Sequence, residues 1–220
     1  MVGANLPLSV PNGDRIQPVD SMLYLGATVH RNGKFSCELA RKIGQASGAY
    51  KACTAVWKNR MITMRRKLEL LESLVLSKLR YGVACAWLSK SDLRRLDGFH
   101  ANCLRRLLKI PSAYVSRVSN NRVREIAGQQ QLSKSIQTSQ LQFLGQVLTN
   151  PAKKQLKEAA FHHGDVMTPT TAAFVRRVGR PRQTWTEQVV KVAMGATTGL
   201  QQWLQVSQSK QLWDTVIMKK

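Results

Sequence analysis

The sequence has 220 residues, 43% of them apolar, and its 34 Lys and Arg against 12 Asp and Glu give a formal net charge of +22. This length and apolar fraction allow one or two small folded domains, whereas no stretch approaches the roughly 18 uncharged apolar residues of a membrane span. The four cysteines are spaced 16, 32 and 18 residues apart without a CxxC pair, which excludes a disulfide framework or zinc site and favours reduced, buried thiols in an intracellular protein.

The N-terminal residues 1–34 predict a β-hairpin. Alternating apolar residues predict a short strand over 6–10, which its proline restricts to the edge of a sheet. Residues 11–14 have the composition of a turn, and a second extended stretch follows over 16–29. Because an isolated hairpin is only marginally stable in water, we expect this one to pack against another part of the protein.

Residues 35–149 predict a helical domain, because the apolar spacing changes to steps of three and four from Phe35 onward. Ser89 or Ser91 can cap the third helix with Asp92 near its positive end, and Gly128 suits the residue after the fourth helix. Leu74 and Leu104 are expected on buried faces. The five predicted helices cover 35–58, 63–87, 90–110, 119–127 and 133–148.

The remaining residues predict a looser tail. Residues 150–184 are rich in turn-forming pairs and lack a sustained apolar period, which indicates a basic linker with one helical patch near 153–160. Residues 185–220 predict one or two amphipathic helices. Within the linker, Arg180 and Arg182 belong to a Gly-Arg-Pro-Arg segment that suits either a narrow minor groove or an ordinary basic linker.

The sequence offers no catalytic centre that we can identify. Two-metal chemistry needs gathered carboxylates, and the chain has no Asp-Asp pair and no Gly-rich phosphate loop between a strand and a helix. We interpret His162 and His163 as solvated loop residues rather than a metal site, because adjacent side chains diverge. His100 is expected to be a hydrogen-bonded helix residue. The chain itself is therefore predicted not to be an enzyme, without a cofactor or small-molecule substrate.

The positive charge predicts a polyanionic partner, since phosphate contacts release condensed counterions. Residues 41–124 hold 19 basic side chains and only four acidic ones. The alternative is a basic surface that keeps the protein soluble and has no specific partner. Arg65, Arg66 and Lys67 open the second helix, where cations are locally unfavourable, so either an external anion offsets the cost or the run is simply solvated.

Several blocks, in order, resemble the C-terminal region of LINE-type (non-LTR) retrotransposon reverse transcriptases. The first is the Tyr-Leu-Gly segment at 24–29, with Asn32-Gly33 after it and Arg41-Lys42 close behind. The next are 74–82 with Trp87, and 99–111, which contains Arg105-Arg106. Further matches are Ser119-Asn120, Phe143-Leu144-Gly145, the Gly-Arg-Pro-Arg-Gln-Thr-Trp block at 179–185, and Trp213.

The resemblance implies a thumb-like helical bundle and a C-terminal tail that close on a template–primer duplex. The fold class it implies is mainly α, with a short N-terminal β-hairpin, the remnant of the palm and primer-grip region, before the bundle. The catalytic aspartates and their Mg²⁺ would belong to a palm preceding residue 1. Expected partners are RNA or DNA template–primer or duplex DNA, and the expected location is intracellular and nuclear.

The sequence departs from the family pattern at a few positions. Gln142, Gln146 and Thr149 stand where the family usually has basic or His residues, and Ser209-Lys210 replaces an acidic-basic pair. An alternative function is therefore a stand-alone DNA-binding or interaction module derived from a decayed retroelement.

The cations that lie off the apolar stripes, at or beside family blocks, are the predicted phosphate contacts. We expect them to face solvent and to be replaceable without loss of the fold. They are Arg41, Lys42, Arg65, Arg66, Lys67, Arg105 and Arg106, to which Arg180 and Arg182 of the linker are added.

Overall fold

The computed structural model describes residues 11, 17–31, 35–161, 166, 184–195, 197 and 200–218. Its two strands, β1 (Ser21–Tyr24) and β2 (Ala27–His30), form an antiparallel hairpin in which Ser21 lies opposite His30. The intervening Leu25 and Gly26 both have positive φ, as in the two-residue turns that suit the twist of a hairpin. An N-terminal hairpin is present as predicted, but its two strands pair within residues 21–30, so its turn lies inside the second predicted stretch, and the predicted strand over 6–10 lies outside the described residues.

Helices make up most of the described chain, which confirms the mainly α fold class. The helix predicted over 35–58 is interrupted at Cys53, and the one predicted over 63–87 ends at Arg80. The helices are α1 (Ser36–Ala52), α2 (Thr54–Lys58), α3 (Met64–Leu70), α4 (Ser77–Arg80), α5 (Lys90–Leu108), α6 (Ala113–Ser116), α7 (Asn120–Ala127), α8 (Leu132–Thr149), α9 (Lys154–Ala160), α10 (Trp185–Met194), α11 (Leu200–Gln208) and α12 (Lys210–Met218).

Two predicted caps are present. The Ser89 side chain accepts from the Asp92 N–H while the Asp92 carboxylate accepts from the Ser89 N–H, which forms a capping box at the start of α5. Gly128 takes the left-handed conformation after α7, with φ of 62°. These local signals therefore determine where α5 begins and where α7 ends.

The first apolar cluster includes α1, α5, α7 and the segment between α3 and α4, in which α1 packs on both that segment and α5, and α7 packs on α5. That segment, Leu71–Leu76, is a π-helix, in which the residues four and five positions apart share a face. Leu71, Val75 and Leu76 are consequently buried, whereas Leu74, three positions from Leu71, is 42% exposed. The prediction that Leu74 is buried is therefore wrong, and the one for Leu104 is confirmed.

The second apolar cluster joins the C-terminal half of α8 to α10, α11 and α12. Gly145 on α8 makes this packing possible, because a Cβ built there would lie 2.2 Å from Nε1 of Trp213. The Trp213 Nε1–H donates to the Leu141 carbonyl at 2.9 Å, and the Trp213 ring meets Trp203 edge to face. Helix α8 contributes to both clusters, since Ile136 belongs to the first.

The loop after α4 connects the two clusters. Its carbonyls at Ala84, Ala86 and Leu88 all accept side-chain hydrogen bonds from later elements. The donors are Trp185 Nε1 at 2.7 Å, Gln140 Nε2 at 2.9 Å and Gln188 Nε2 at 3.1 Å, respectively. Among the helices described, none is long and apolar enough to cross a bilayer.

Candidate nucleic-acid interface

Most acidic side chains of the described chain are engaged within the fold. Asp92 caps α5, and Asp97 accepts from both the N–H and the hydroxyl of Ser133. Glu38 lies fully buried under the hairpin. Five others contact nearby cations, in the pairs Asp20–Arg31, Glu69–Arg65, Glu72–Arg80, Glu125–Arg122 and Glu158–Lys154, and Glu187 caps α10. Few carboxylates therefore remain to neutralise the exposed cations.

Many exposed cations make no ion pair within the part of the chain that the structure describes. Most of these Lys and Arg residues lie in the part of the chain from α1 to α7. They include Lys51, Lys58, Arg60, Lys78, Lys90, Arg94, Arg106, Lys109, Arg117 and Lys134. These exposed side chains carry much of the positive charge surplus of the sequence.

One face of α5 gathers several exposed groups. Arg95, Asn102 and Arg106 recur at helical spacing on α5, Lys109 follows at its C-terminal end, and all four are exposed. From Arg95 to Lys109 this α5 face spans about 21 Å, the length of about six base pairs. Its acidic neighbour is the capping residue Asp92, which is buried and lies 3.9 Å from Arg95 at the far end. Arg106 and Lys109 are therefore the cations of this face without an ion pair in the described structure.

Arg106 fits the prediction of an outward-facing cation. Its guanidinium lies over the Tyr50 ring at 5.8 Å, on the side of α5 next to α1. Tyr50 in turn stacks on Trp57 with ring centroids 5.2 Å apart. An aromatic ring beneath a guanidinium restricts its side chain without neutralising its charge, so Arg106 remains available to an anion.

Arg105 contradicts the same prediction, because it is 4% exposed. Its guanidinium donates to the carbonyls of Pro111 and Val118 and to Oδ1 of Asn120, and it lies 3.4 Å from Oγ of Ser116. Arg105 therefore holds the segment between α5 and α7, which the local sequence pattern could not indicate.

Lys42 and Arg41 are also engaged inside the protein. Glu38 accepts from Arg41 at 2.6 and 2.8 Å and from the Thr28 N–H at 2.9 Å, and Lys42 Nζ lies 3.4 Å from the same carboxylate. Arg41 also donates to the Gly26 carbonyl. The group fastens the hairpin to α1, so the prediction that Lys42 faces solvent is wrong and Arg41 is only half-exposed.

Of the three cations at the start of α3, one is buried and two are exposed. Lys67 is buried and donates to the Trp57 carbonyl at 2.9 Å, so the prediction that it faces solvent is wrong. Arg65 and Arg66 are exposed, and both contact Glu69 about one turn later. Because Glu69 supplies the carboxylate that offsets two cations near the helix start, no external anion is needed to explain them.

The remaining predictions have mixed outcomes. Arg180, Arg182, His162 and His163 lie outside the described residues. His100 is buried, and neither of its ring nitrogens has a hydrogen-bond partner within the described chain, contrary to expectation. The four cysteines are free, but Cys37 and Cys85 are exposed, so the prediction of buried thiols is wrong for them.

The sequence pattern did not single out Lys109, Tyr114 or Arg117 as contacts for a partner. Lys109 and Arg117 both adopt left-handed backbone conformations at helix ends, and Tyr114 is 81% exposed. A signal was available, since residues 98–124 contain no Asp or Glu.

Within the described residues, no group of three or more His, Cys, Asp or Glu side chains lies close enough together to hold a metal ion. Comparison with models of known families, with curated proteins and with solved structures gave no match.

Proposed function

We propose that this chain binds the phosphate backbone of a template–primer duplex, as the thumb-like part of a LINE-type RNA-directed DNA polymerase whose catalytic aspartates lie on another segment. The observation that carries the proposal is the α5 face, on which Arg95, Arg106 and Lys109 are all exposed. The ordered sequence blocks support the choice of family. The many exposed cations without an ion pair in the described part of the chain support a polyanionic partner.

The proposed contact is to the backbone rather than to bases. Point-like cations spread over about 21 Å suit phosphates, whereas base readout needs planar, bidentate groups fixed in a groove. Binding is therefore expected to be steeply salt-dependent and weakly sequence-dependent. The chain carries no chemistry of its own in this proposal, and it acts in the nucleus on genomic DNA.

The test measures binding to an RNA–DNA hybrid, duplex DNA and single strands between about 50 and 200 mM salt, a range in which phosphate binders lose orders of magnitude in affinity. Arg106→Gln/Lys109→Gln removes two exposed charges of the α5 face. Lys191→Gln/Lys210→Gln removes two exposed charges from α10 and α12 and is the matched control.

The α5 pair is expected to lower the salt slope by about two, and the control pair to lower it by less than half as much. Equal losses from both pairs would mean that the charge acts as a diffuse cloud, and the site assignment would be wrong. A flat salt response in the unchanged protein would overturn the proposed function. Equal affinity for hybrid and duplex DNA would favour the stand-alone DNA-binding module.

A further inference from the structure

The segment between α5 and α7, residues 109–119, is exposed yet held in a defined shape. Arg105 reaches out from the end of α5 and ties down the carbonyls of Pro111 and Val118. The Ser116 hydroxyl adds bonds to the Pro111 and Ser112 carbonyls at 3.2 and 3.0 Å. Because its two ends are fastened to one buried guanidinium, this segment cannot swing freely away from the bundle.

The fastened segment presents an aromatic ring to solvent. Tyr114, on the short helix α6, is 81% exposed, and its neighbour Val115 is 68% exposed. The Arg117 guanidinium lies 5.5 Å from the Tyr114 ring centroid. Neither side chain belongs to an apolar cluster of the fold, so the Tyr114 ring is left accessible to a partner.

The stretch of chain that carries this ring is rich in basic residues. No Asp or Glu occurs from residue 98 to 124, and Arg106, Lys109 and Arg117 are exposed there without ion pairs in the described structure. Arg122 is exposed as well and contacts Glu125. An approaching partner would therefore meet an aromatic ring with the Arg117 guanidinium beside it, on a stretch of chain that holds bases and no acids.

We propose that residues 109–119 form a stacking platform for an unpaired base of the bound nucleic acid. Tyr114 supplies the ring on which the base stacks, and Lys109 and Arg117 contact the phosphates on either side. The platform deepens the proposed function and rests on it, since it takes a single-stranded extension of the same template–primer.

The chemistry favours an unpaired strand over a duplex or an acidic protein surface. Bases inside a duplex are already stacked on their neighbours and offer no free face, whereas an unpaired base has one. Aromatic side chains beside cations bind single strands in this manner, with stacking that tolerates any base. An acidic protein surface would use the cations but would leave the tyrosine ring without a role.

The experiment compares Tyr114→Leu, Tyr114→Phe and the unchanged protein. Leucine keeps apolar bulk without the ring, whereas phenylalanine keeps the ring. Tyr81→Leu, which removes another exposed tyrosine that also lies beside a cation, Lys42, is the control. The probes are a labelled blunt duplex, the same duplex with a thymidine overhang, and the same overhang made of abasic sites.

Tyr114→Leu is expected to bind the thymidine overhang roughly 5- to 100-fold more weakly, and to bind the blunt and abasic probes as the unchanged protein does. Tyr114→Phe and Tyr81→Leu should match the unchanged protein on all three. The platform is overturned if Tyr114→Leu loses nothing on the overhang, or loses as much on the blunt duplex. Failure of the proposed function is a separate outcome, in which the unchanged protein binds none of the probes.

Discussion

The helical bundle and the tail differ in how they use charge. Residues 41–124 of the bundle hold 19 bases and four acids, whereas α10, α11 and α12 hold two of each, namely Glu187, Asp214, Lys191 and Lys210. The tail is held together by indole and amide hydrogen bonds over an aromatic cluster. The three tail helices therefore carry no surplus charge, whereas the surplus of the bundle is, in our proposal, the part that meets the phosphates of a partner.

The largest expected effect separates core from surface within the bundle. Leu104→Ala removes a fully buried side chain from the first cluster and should lower the free energy of unfolding by about 2–5 kcal/mol, because it leaves a cavity. Urea unfolding followed by circular dichroism measures this. Leu74→Ala is the matched control, and its cost should stay below about 1 kcal/mol since Leu74 is 42% exposed. Comparable losses would mean that the π-helical register is wrong.

A smaller effect concerns pH and the bundle alone. Burial, with the nearby Arg124 charge, lowers the pKa of His100 to about 4 from an ordinary value of 6.5, although Asp97 opposes the shift. Between these two values the unfolded chain binds more protons than the folded one. The bundle should therefore lose stability as pH falls from about 6.5 to 4, by about 3 kcal/mol at most.

Hydrogen exchange measured at about pH 7.5 and pH 4.5, two values that span most of this range, reports the stability of the bundle and of the tail separately. His100→Leu should flatten the change in the bundle, because its side chain does not titrate. Glu38 stays ionised throughout this window: burial raises its pKa, but hydrogen bonds from Arg41 and the Thr28 N–H outweigh that effect and hold it at about 2. Identical pH profiles for the variant and the unchanged protein would contradict this role of His100.

The next test acts on the tail. Gly145→Ala places a methyl group against the buried Trp213 ring, and overpacking of this kind costs about 1–3 kcal/mol. Exchange should rise in α11 and α12 while the bundle and its affinity for duplex nucleic acid change little. Gly44→Ala, at an exposed glycine of α1 with open space around it, is the control. A matching drop in duplex affinity would show that the tail takes part in binding.

The sequence predicted the elements that depend on local signals. The serine cap of α5 and the glycine after α7 can be recognised from a few neighbouring residues, and the apolar stripe of α1 follows from its helical period. The π-helical segment could not be predicted, because the residues of 71–76 suit an α-helix equally well. Because of this π-helical geometry, Leu74 lies at the surface rather than in the interior, where an α-helix would have placed it.

The candidate site was predicted only in part, for a similar reason. Arg105 and Arg106 are adjacent and chemically identical, and the pattern of the helix places both off its apolar stripe. Their fates differ because the partners of Arg105, at Pro111, Val118 and Asn120, lie 6 to 15 residues later in the chain. Lys42 and Lys67 likewise find partners that come from the fold rather than from the spacing.

The three carbonyls of the loop after α4 have a consequence for the order of folding. Their donors lie 54, 100 and 101 residues away along the chain, whereas α5 and α7 are close in sequence. Closing long loops costs conformational entropy before any contact offsets it, and contacts between distant residues slow folding. We therefore expect the bundle to form first and the tail to dock last, on a strip of backbone that the bundle has already set in place.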